Sequence, residues 1–152
     1  MKKFELTNEF IANRFGTKLF RIRALVEFGD VEAGELGGYV EKESNLGHDD
    51  NAWVYGNARV YGDALVYDNA RVYDNAWVYG DAQVSGDAQV SGDARVSGDK
   101  DYAYAHGFGS CNRTTTFFRL KDGDVGVRCG CFYGTLAQFR DCLLYTSDAA
   151  DE

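Results

Sequence analysis

The chain has 152 residues, with 24 acidic and 16 basic side chains and a formal net charge of −8. This length suits one compact unit or two small modules, and the acidic balance argues against a general nucleic-acid binder, which would carry a basic patch. No run of about 18 apolar residues occurs, so no membrane span is predicted. The opening MKKFELTNEF lacks the apolar run of a signal peptide. The three cysteines that precede residue 142 form no even framework, which favours a cytoplasmic protein.

Residues 1–50 are predicted to form an N-terminal β cap and a lead-in coil. Lys18 to Phe28 alternates between apolar and polar residues, which is typical of a half-buried strand, and Lys2–Leu6 is expected to pair with it. The glycine-rich stretch 29–40 then leads into the repeats. A cap of this kind stops the first coil from pairing edge to edge with another chain.

Eight copies of one hexapeptide run from Ala52 to Asp99, with the unit Ala-x-Val-x-(Gly/Asp)-(Asn/Asp). A strict period of six cannot match the 3.6-residue period of a helix, but it suits short strands separated by tight turns. Hexapeptide periods are typical of parallel β-helices, so residues 51–100 are predicted to form a left-handed one. Valine and alanine fill the interior, and Gly, Asp and Asn supply turns with positive φ.

Three hexapeptides make one coil, so residues 18 apart are expected to stack at the strand spacing of about 4.8 Å. This predicts the ladders Trp53–Arg71–Gln89, Arg59–Trp77–Arg95 and Leu65–Gln83 on the outer faces, with rows of tyrosine beside them. Aromatic residues and arginine are enriched in protein interfaces, which favours an oligomer contact over simple β propensity. The predicted interface residues are Trp53, Tyr55, Arg59, Tyr61, Tyr67, Arg71, Tyr73, Trp77 and Tyr79.

Two groups of residues have side chains that can bind metal ions, but both are expected to have structural roles. The row Asp63–Asp81–Asp99 is expected to be solvated turn residues, because its spacing matches no calcium loop. Cys129 and Cys131, even with His106 and Cys111, lack the usual zinc-knuckle spacing and are expected to be buried thiols. No metal and no cofactor are therefore predicted.

Residues 101–141 are predicted to form a small ββ(β)α module, separate from the solenoid and unfinished. Its strands are expected at Tyr102–His106, Thr114–Leu120 and Val125–Tyr133, and a helix is expected to start at Thr135. Polar side chains around a glycine-rich loop could contact a ligand or partner, although a plain cap with a solvated loop explains them too. The candidate ligand-binding residues are His106, Ser110, Cys111, Arg113, Arg119 and Arg128.

The last residues, 142–152, read CLLYTSDAADE and resemble the translation of a sequencing-library adapter. This segment is therefore interpreted as an artefact, and the natural sequence is taken as residues 1–141, cut off at its C-terminus.

The phrase GDVEAGELGGYVEKESNL, followed by NAWVYGNARVYGDA, resembles uncharacterised hexapeptide-repeat proteins of tailed phages and enteric bacteria. The resemblance covers roughly residues 1–100. It implies a left-handed β-helix with an N-terminal β cap and raises the expectation of side-by-side trimers. It implies no activity.

Three functions remain open, and the first is preferred. A non-enzymatic, self-associating scaffold or binding protein, expected to be phage-encoded and to act in the host cytoplasm, would form a trimer and present its C-terminal module. A hexapeptide-class acyltransferase would need a histidine at a subunit boundary, and only His48 and His106 exist. A phage effector would sequester a host protein or a small nucleotide, with Arg113, Arg119 and Arg128 contacting phosphate or carboxylate groups of this anionic ligand.

Overall fold

The computed structural model describes residues 2–13, 15–98, 101–105, 115–129 and 132–141. Several predicted features lie outside these residues. They are Asp99, the candidate ligand residues His106, Ser110, Cys111 and Arg113, Cys131, and the segment 142–152. The thiol of Cys129 also lies outside the described part of the chain.

The N-terminal cap is a β-hairpin of β1 (Phe4–Ala12) and β2 (Lys18–Ala24), followed by β3 (Leu36–Val40). Phe4 pairs with Ala24 in antiparallel register, which confirms that the first residues pair with the second strand. The prediction that this strand continues to Phe28 was wrong. The chain leaves the sheet at Ala24, whose carbonyl accepts the Gly34 N–H at 2.8 Å, and Phe28 instead bridges to Val31.

The repeats form eight two-residue strands. They are β4 (Trp53–Val54), β5 (Arg59–Val60), β6 (Leu65–Val66), β7 (Arg71–Val72), β8 (Trp77–Val78), β9 (Gln83–Val84), β10 (Gln89–Val90) and β11 (Arg95–Val96). Parallel pairing at a spacing of 18 residues confirms the predicted register. Face A contains β3, β5, β8 and β11, face B contains β4, β7 and β10, and face C contains β6 and β9.

The repeat alanines and valines fill the interior, as predicted. Every one of them is at most 1% exposed. Burying a valine side chain contributes about 1.5–3 kcal/mol, so the repeated valines dominate the stability of the coils. Residues 36–50 add part of another coil, because Val40 and Leu46 join the same core and Leu46 bridges to Val66 in parallel.

The turns between the strands use residues that tolerate positive φ. Glycine takes this conformation in most turns, while Asp68 and Asp74 take it at φ 60° and 61°. The aspartates add a second contribution, because each carboxylate reaches the next coil. Oδ2 of Asp68 accepts the Gly86 N–H at 3.1 Å, and Oδ2 of Asp74 accepts the Gly92 N–H at 3.1 Å.

The C-terminal module is a four-stranded antiparallel meander followed by a short helix. Its strands are β12 (Tyr102–Ala105), β13 (Thr115–Arg119), β14 (Val125–Cys129) and β15 (Phe132–Thr135), and the helix covers residues 136–141. The prediction of one strand from Val125 to Tyr133 was wrong, because the chain reverses and Cys129 pairs with Phe132. The predicted helix cap is present, since Thr135 Oγ1 accepts the Gln138 N–H at 3.3 Å.

The module is not separate from the solenoid, which corrects the sequence prediction. The Gln89 N–H donates to Thr116 Oγ1 at 2.9 Å, and the Lys121 N–H donates to the Asp93 carbonyl at 3.0 Å. Phe118, 1% exposed, belongs to the same apolar core as the coils. The meander therefore covers the end of the last coil, where open strand edges would otherwise invite pairing with other chains.

The predicted fold class is confirmed. The protein is an all-β solenoid of hexapeptide repeats with an N-terminal β cap and a small α+β module at the C-terminal end.

Candidate functional site

Face A carries an arginine–aromatic row along its outer surface. Arg59, Trp77 and Arg95 lie in register on β5, β8 and β11. The guanidinium carbon of Arg59 lies 5.1 Å from the centroid of Trp77, and that of Arg95 lies 3.9 Å from it. The indole is thus held between two cations, as the predicted alternation of Trp and Arg requires.

The row continues into the cap, where sequence reasoning missed two members. Tyr39 on β3 is the register partner of both Arg59 and Arg21, and the guanidinium of Arg21 lies 4.5 Å from the Tyr39 ring. Arginine and aromatic residues therefore alternate over five strands of one sheet, with Tyr39 buried at 9% exposure and Arg59, Trp77 and Arg95 partly exposed. Tyr39 precedes Arg59 by 20 residues and Arg21 lies on an antiparallel strand, so neither follows the 18-residue rule. We call Arg21, Tyr39, Arg59, Trp77 and Arg95 the arginine–aromatic row.

A second aromatic row lies beside the first. Tyr61 and Tyr79 stack with ring centroids 5.3 Å apart and planes 8° apart. The Arg119 guanidinium from the C-terminal module donates to the Tyr79 hydroxyl at 3.4 Å and pairs with Asp101 at 3.4 Å. These contacts extend the cationic and aromatic character of face A to its last coil.

The arginines at both ends of the row are held in place by the backbone. Arg95 Nη1 donates to the carbonyls of Asn75 and Ala94 at 3.1 and 2.9 Å, and burial lowers the pKa of this guanidinium. Arg21 donates to the Gly37 carbonyl at 2.8 Å and to the Tyr39 hydroxyl at 2.6 Å. Held side chains lose less conformational entropy when a partner binds, which favours a contact at this face.

Trp53 does not belong to an exposed surface, which corrects its predicted place in the interface. Its side chain is 0% exposed, with Phe4 and Phe28 packed edge-on at 6.3 and 5.3 Å. A Cβ on Gly37 would lie 2.7 Å from the indole, so only glycine allows the cap to approach this closely. The burial of Trp53 could have been predicted from two features of the sequence before the repeats: the pair Gly37-Gly38 and the apolar residues of the N-terminal cap.

The other predicted interface residues divide among the three faces. Arg59, Tyr61, Trp77 and Tyr79 lie on face A, and all are partly exposed. Tyr55, Arg71 and Tyr73 lie along face B, where the rings of Tyr55 and Tyr73 meet at 85°, while Tyr67 follows β6 on face C. One surface cannot contain them all, and only face A combines stacked arginine with a partly exposed tryptophan.

The predicted ligand-binding residues are not brought together among the parts of the chain that the structure describes. Arg128 pairs with Thr116 in the meander, three residues from Arg119, so the two arginines point to opposite faces. Arg119 lies at face A, while Arg128 lies 5.0 Å from the Tyr73 ring at face B.

His48 is part of the cap. Its Nδ1 accepts the Lys3 N–H at 3.1 Å, and its ring stacks on Phe4 with centroids 4.4 Å apart. Across the described ranges, no group of three or more His, Cys, Asp or Glu side chains is placed to hold a metal ion. In those same ranges, no helix has the length and apolar character to cross a membrane.

Comparison with known proteins agrees with the β-solenoid architecture. Residues 52–68, 64–80 and 88–99 match the YdcK Beta solenoid repeat family. A protein of Escherichia coli (strain K12) named "Uncharacterized acetyltransferase YdcK" is 37% identical over 62 residues, covering 36% of this chain and 19% of that protein. The chain thus corresponds to about a fifth of the length of that relative.

Proposed function

We propose that this protein is a non-enzymatic scaffold or binding protein that assembles with copies of itself through face A. The observation that carries the proposal is the arginine–aromatic row, which crosses five strands and continues from the cap into the last coil. Tryptophan, tyrosine and arginine are the residues that most often dominate the binding energy of protein interfaces.

The charge of the chain also supports assembly of face A against another face. The chain is acidic overall, at −8, whereas the row carries the guanidinium groups of Arg59 and Arg95 on the solenoid, in addition to Arg21, which is paired with Glu9 at 2.5 Å. A neighbouring copy presents exposed aspartates at its turns, such as Asp68 and Asp87. Contacts between a cationic face and an acidic corner are heterologous, and heterologous contacts form a ring when the rotation between copies closes and a filament when it does not. The assembly that we propose is the closed ring of three copies.

The experiment is a measurement of absolute mass by light scattering for the full chain and two variants. Trp77→Ala removes the centre of the row, and Leu65→Ala removes an apolar side chain from the same repeat position on face C. We expect a trimer for the parent chain and for Leu65→Ala, and a monomer for Trp77→Ala. Equal masses for all three proteins would show that the copies do not assemble through Trp77 on face A.

An acetyltransferase is the second candidate, favoured by the name of the Escherichia coli relative. Turnover of acetyl-CoA by the chain, lost in His48→Ala, would support it. His48 already supports the cap through Lys3 and Phe4, so a loss of activity must be separated from a loss of folding. Circular dichroism of the variant makes that separation.

A further inference from the structure

The direction of face A limits which surface of a second copy can meet it in a closed ring. The chain passes through faces B, A and C in turn, and three faces of one coil point about 120° apart. In a ring of three copies that stand side by side, each copy is rotated by about 120°. The two surfaces that meet in one contact must therefore point about 60° apart on the same chain, which is the direction of a corner that flanks face A.

Exposed aspartates occur at more than one corner, and symmetry distinguishes between them. Asp68 and Asp87 lie in the turns between faces C and B, at the corner that points directly away from face A. A contact between face A and this opposite corner translates each copy without rotating it. Such contacts repeat into an open row of copies, so the opposite corner does not belong to a closed ring.

The corner between faces A and C places carboxylates at the height of the arginine–aromatic row. It is formed by the turns that follow β5 and β8, residues 61–63 and 79–81. A closed ring has no rise between copies, so residues at equal heights along the coil axis meet. Asp63 comes four residues after Arg59, and Asp81 comes four residues after Trp77. At about 4.8 Å per coil of 18 residues, four residues correspond to only about 1 Å in height.

The other flanking corner, between faces B and A, matches the row less well. At the height of Arg59 it carries Asn57, which is neutral. At its last turn, a Cβ on Gly92 would collide with the Tyr133 hydroxyl, so the C-terminal module already lies over this corner. The corner between faces A and C is therefore the better counterpart of face A.

The charges on both sides of this contact are available. Among the residues that the structure describes, neither Arg59 nor Arg95 forms an ion pair with a carboxylate, and Asp81 forms none with a cation. The Asp63 side chain is 86% exposed and pairs with Lys42 at 3.2 Å, also at the surface. Exposed pairs of this kind contribute little to stability, so Asp63 can exchange Lys42 for an arginine of a neighbouring copy.

We propose that face A of one copy packs against the corner between faces A and C of the next copy, with Arg59 paired to Asp63 and Trp77 beside Asp81. This inference rests on the assembly proposed above and adds the surface that receives face A. Complementary charges fix the register of an interface. The pair of Arg59 and Asp63 therefore keeps neighbouring copies at equal height, which is the condition for the ring to close.

The test is an exchange of the two charges, read as absolute mass by light scattering of the full chain at constant ionic strength. Arg59→Glu and Asp63→Arg each bring like charges together, so we expect each single variant to have the mass of one chain. The double variant Arg59→Glu with Asp63→Arg restores opposite charges in exchanged positions and should recover three times that mass. Circular dichroism checks that every variant is folded. A trimeric Asp63→Arg, or a folded double variant that stays monomeric, would overturn the proposal.

The matched control is Asp87→Arg, the same change at the corner opposite face A, which should remain a trimer. Arg59→Glu with Asp87→Arg should stay monomeric, and recovery of the trimer there would contradict the choice of corner. A monomeric parent chain would contradict self-assembly itself. A trimer that Trp77→Ala disrupts and Asp63→Arg leaves intact would contradict only the corner, so the two failures are distinguishable.

Discussion

Two tryptophans at the same position of the repeat have opposite surroundings. Trp53 on face B is 0% exposed beneath Phe4 and Phe28 of the cap, whereas Trp77 on face A is partly exposed between Arg59 and Arg95. The repeat position fixes the direction of a side chain out of the coil. What lies over that face decides whether the side chain stabilises the fold or offers a contact.

Replacing Trp53 should have the largest effect on stability. Trp53→Ala leaves a cavity between the cap and the first coil, so we expect a loss of about 3–5 kcal/mol in the free energy of unfolding. Urea denaturation followed by circular dichroism measures it. A loss below about 1 kcal/mol would mean that the cap does not depend on this side chain.

Replacing Lys3 is expected to have the next largest effect. Its side chain is 3% exposed, and Nζ donates to the carbonyls of Ala52 and Asp50 at 2.6 and 3.0 Å and pairs with Asp50 at 3.4 Å. Lys3→Met leaves these acceptors unpaired under the cap, which we expect to cost about 3 kcal/mol in the same denaturation experiment. The control is Lys2→Met, since Lys2 forms only an exposed pair with Glu43 and should change stability by less than about 1 kcal/mol.

The carboxylate contacts between coils can be tested at Asp68. Asp68→Ala removes the acceptor of the Gly86 N–H and places alanine at φ 60°, so thermal denaturation should show a loss of about 2 kcal/mol. Asp68→Gly removes only the hydrogen bond and should lose less. If glycine and alanine are equally destabilising, backbone conformation does not contribute at this turn.

Trp77→Ala should affect stability least and association most. An exposed cation–π contact contributes about 0.5–1 kcal/mol, and Trp77 makes two of them, so the monomer should lose no more than about 2 kcal/mol. Denaturation at a protein concentration too low for assembly measures this loss of monomer stability by itself. A loss as large as that of Trp53→Ala would remove the contrast between the two tryptophans.

Alkaline pH offers a further test at Tyr55, on the outer surface of face B. Burial, followed by the charge of Asp30, raises the pKa of Tyr55 to about 12, above the value of about 10 expected in the unfolded chain. The folded state then holds this proton more tightly, so its contribution to stability is complete below about pH 10 and is lost as the pH rises towards 12. Tyr55→Phe should lose less stability over that range, and an unchanged profile would contradict the assignment to Tyr55.

The repeats made the fold predictable because one spacing determines three properties at once. The 18-residue register, the buried Ala and Val positions and the positive-φ turns all follow from the hexapeptide. The candidate site was predictable only where the same spacing holds, as for Arg59, Trp77 and Arg95. Arg21 and Tyr39 were missed because antiparallel pairing and an irregular lead-in coil place them in the row.

The burial of Trp53 and the docking of the C-terminal module were not predictable from the repeat. Both depend on contacts between segments far apart in sequence, such as Phe4 with Trp53 and Gln89 with Thr116.

The most direct test of the central claim is the absolute mass of the full chain in solution, compared with that of Trp77→Ala. Assembly through face A predicts three times the mass of one chain for the parent and the mass of one chain for the variant. A monomeric parent, or a trimer that Trp77→Ala leaves intact, would contradict it.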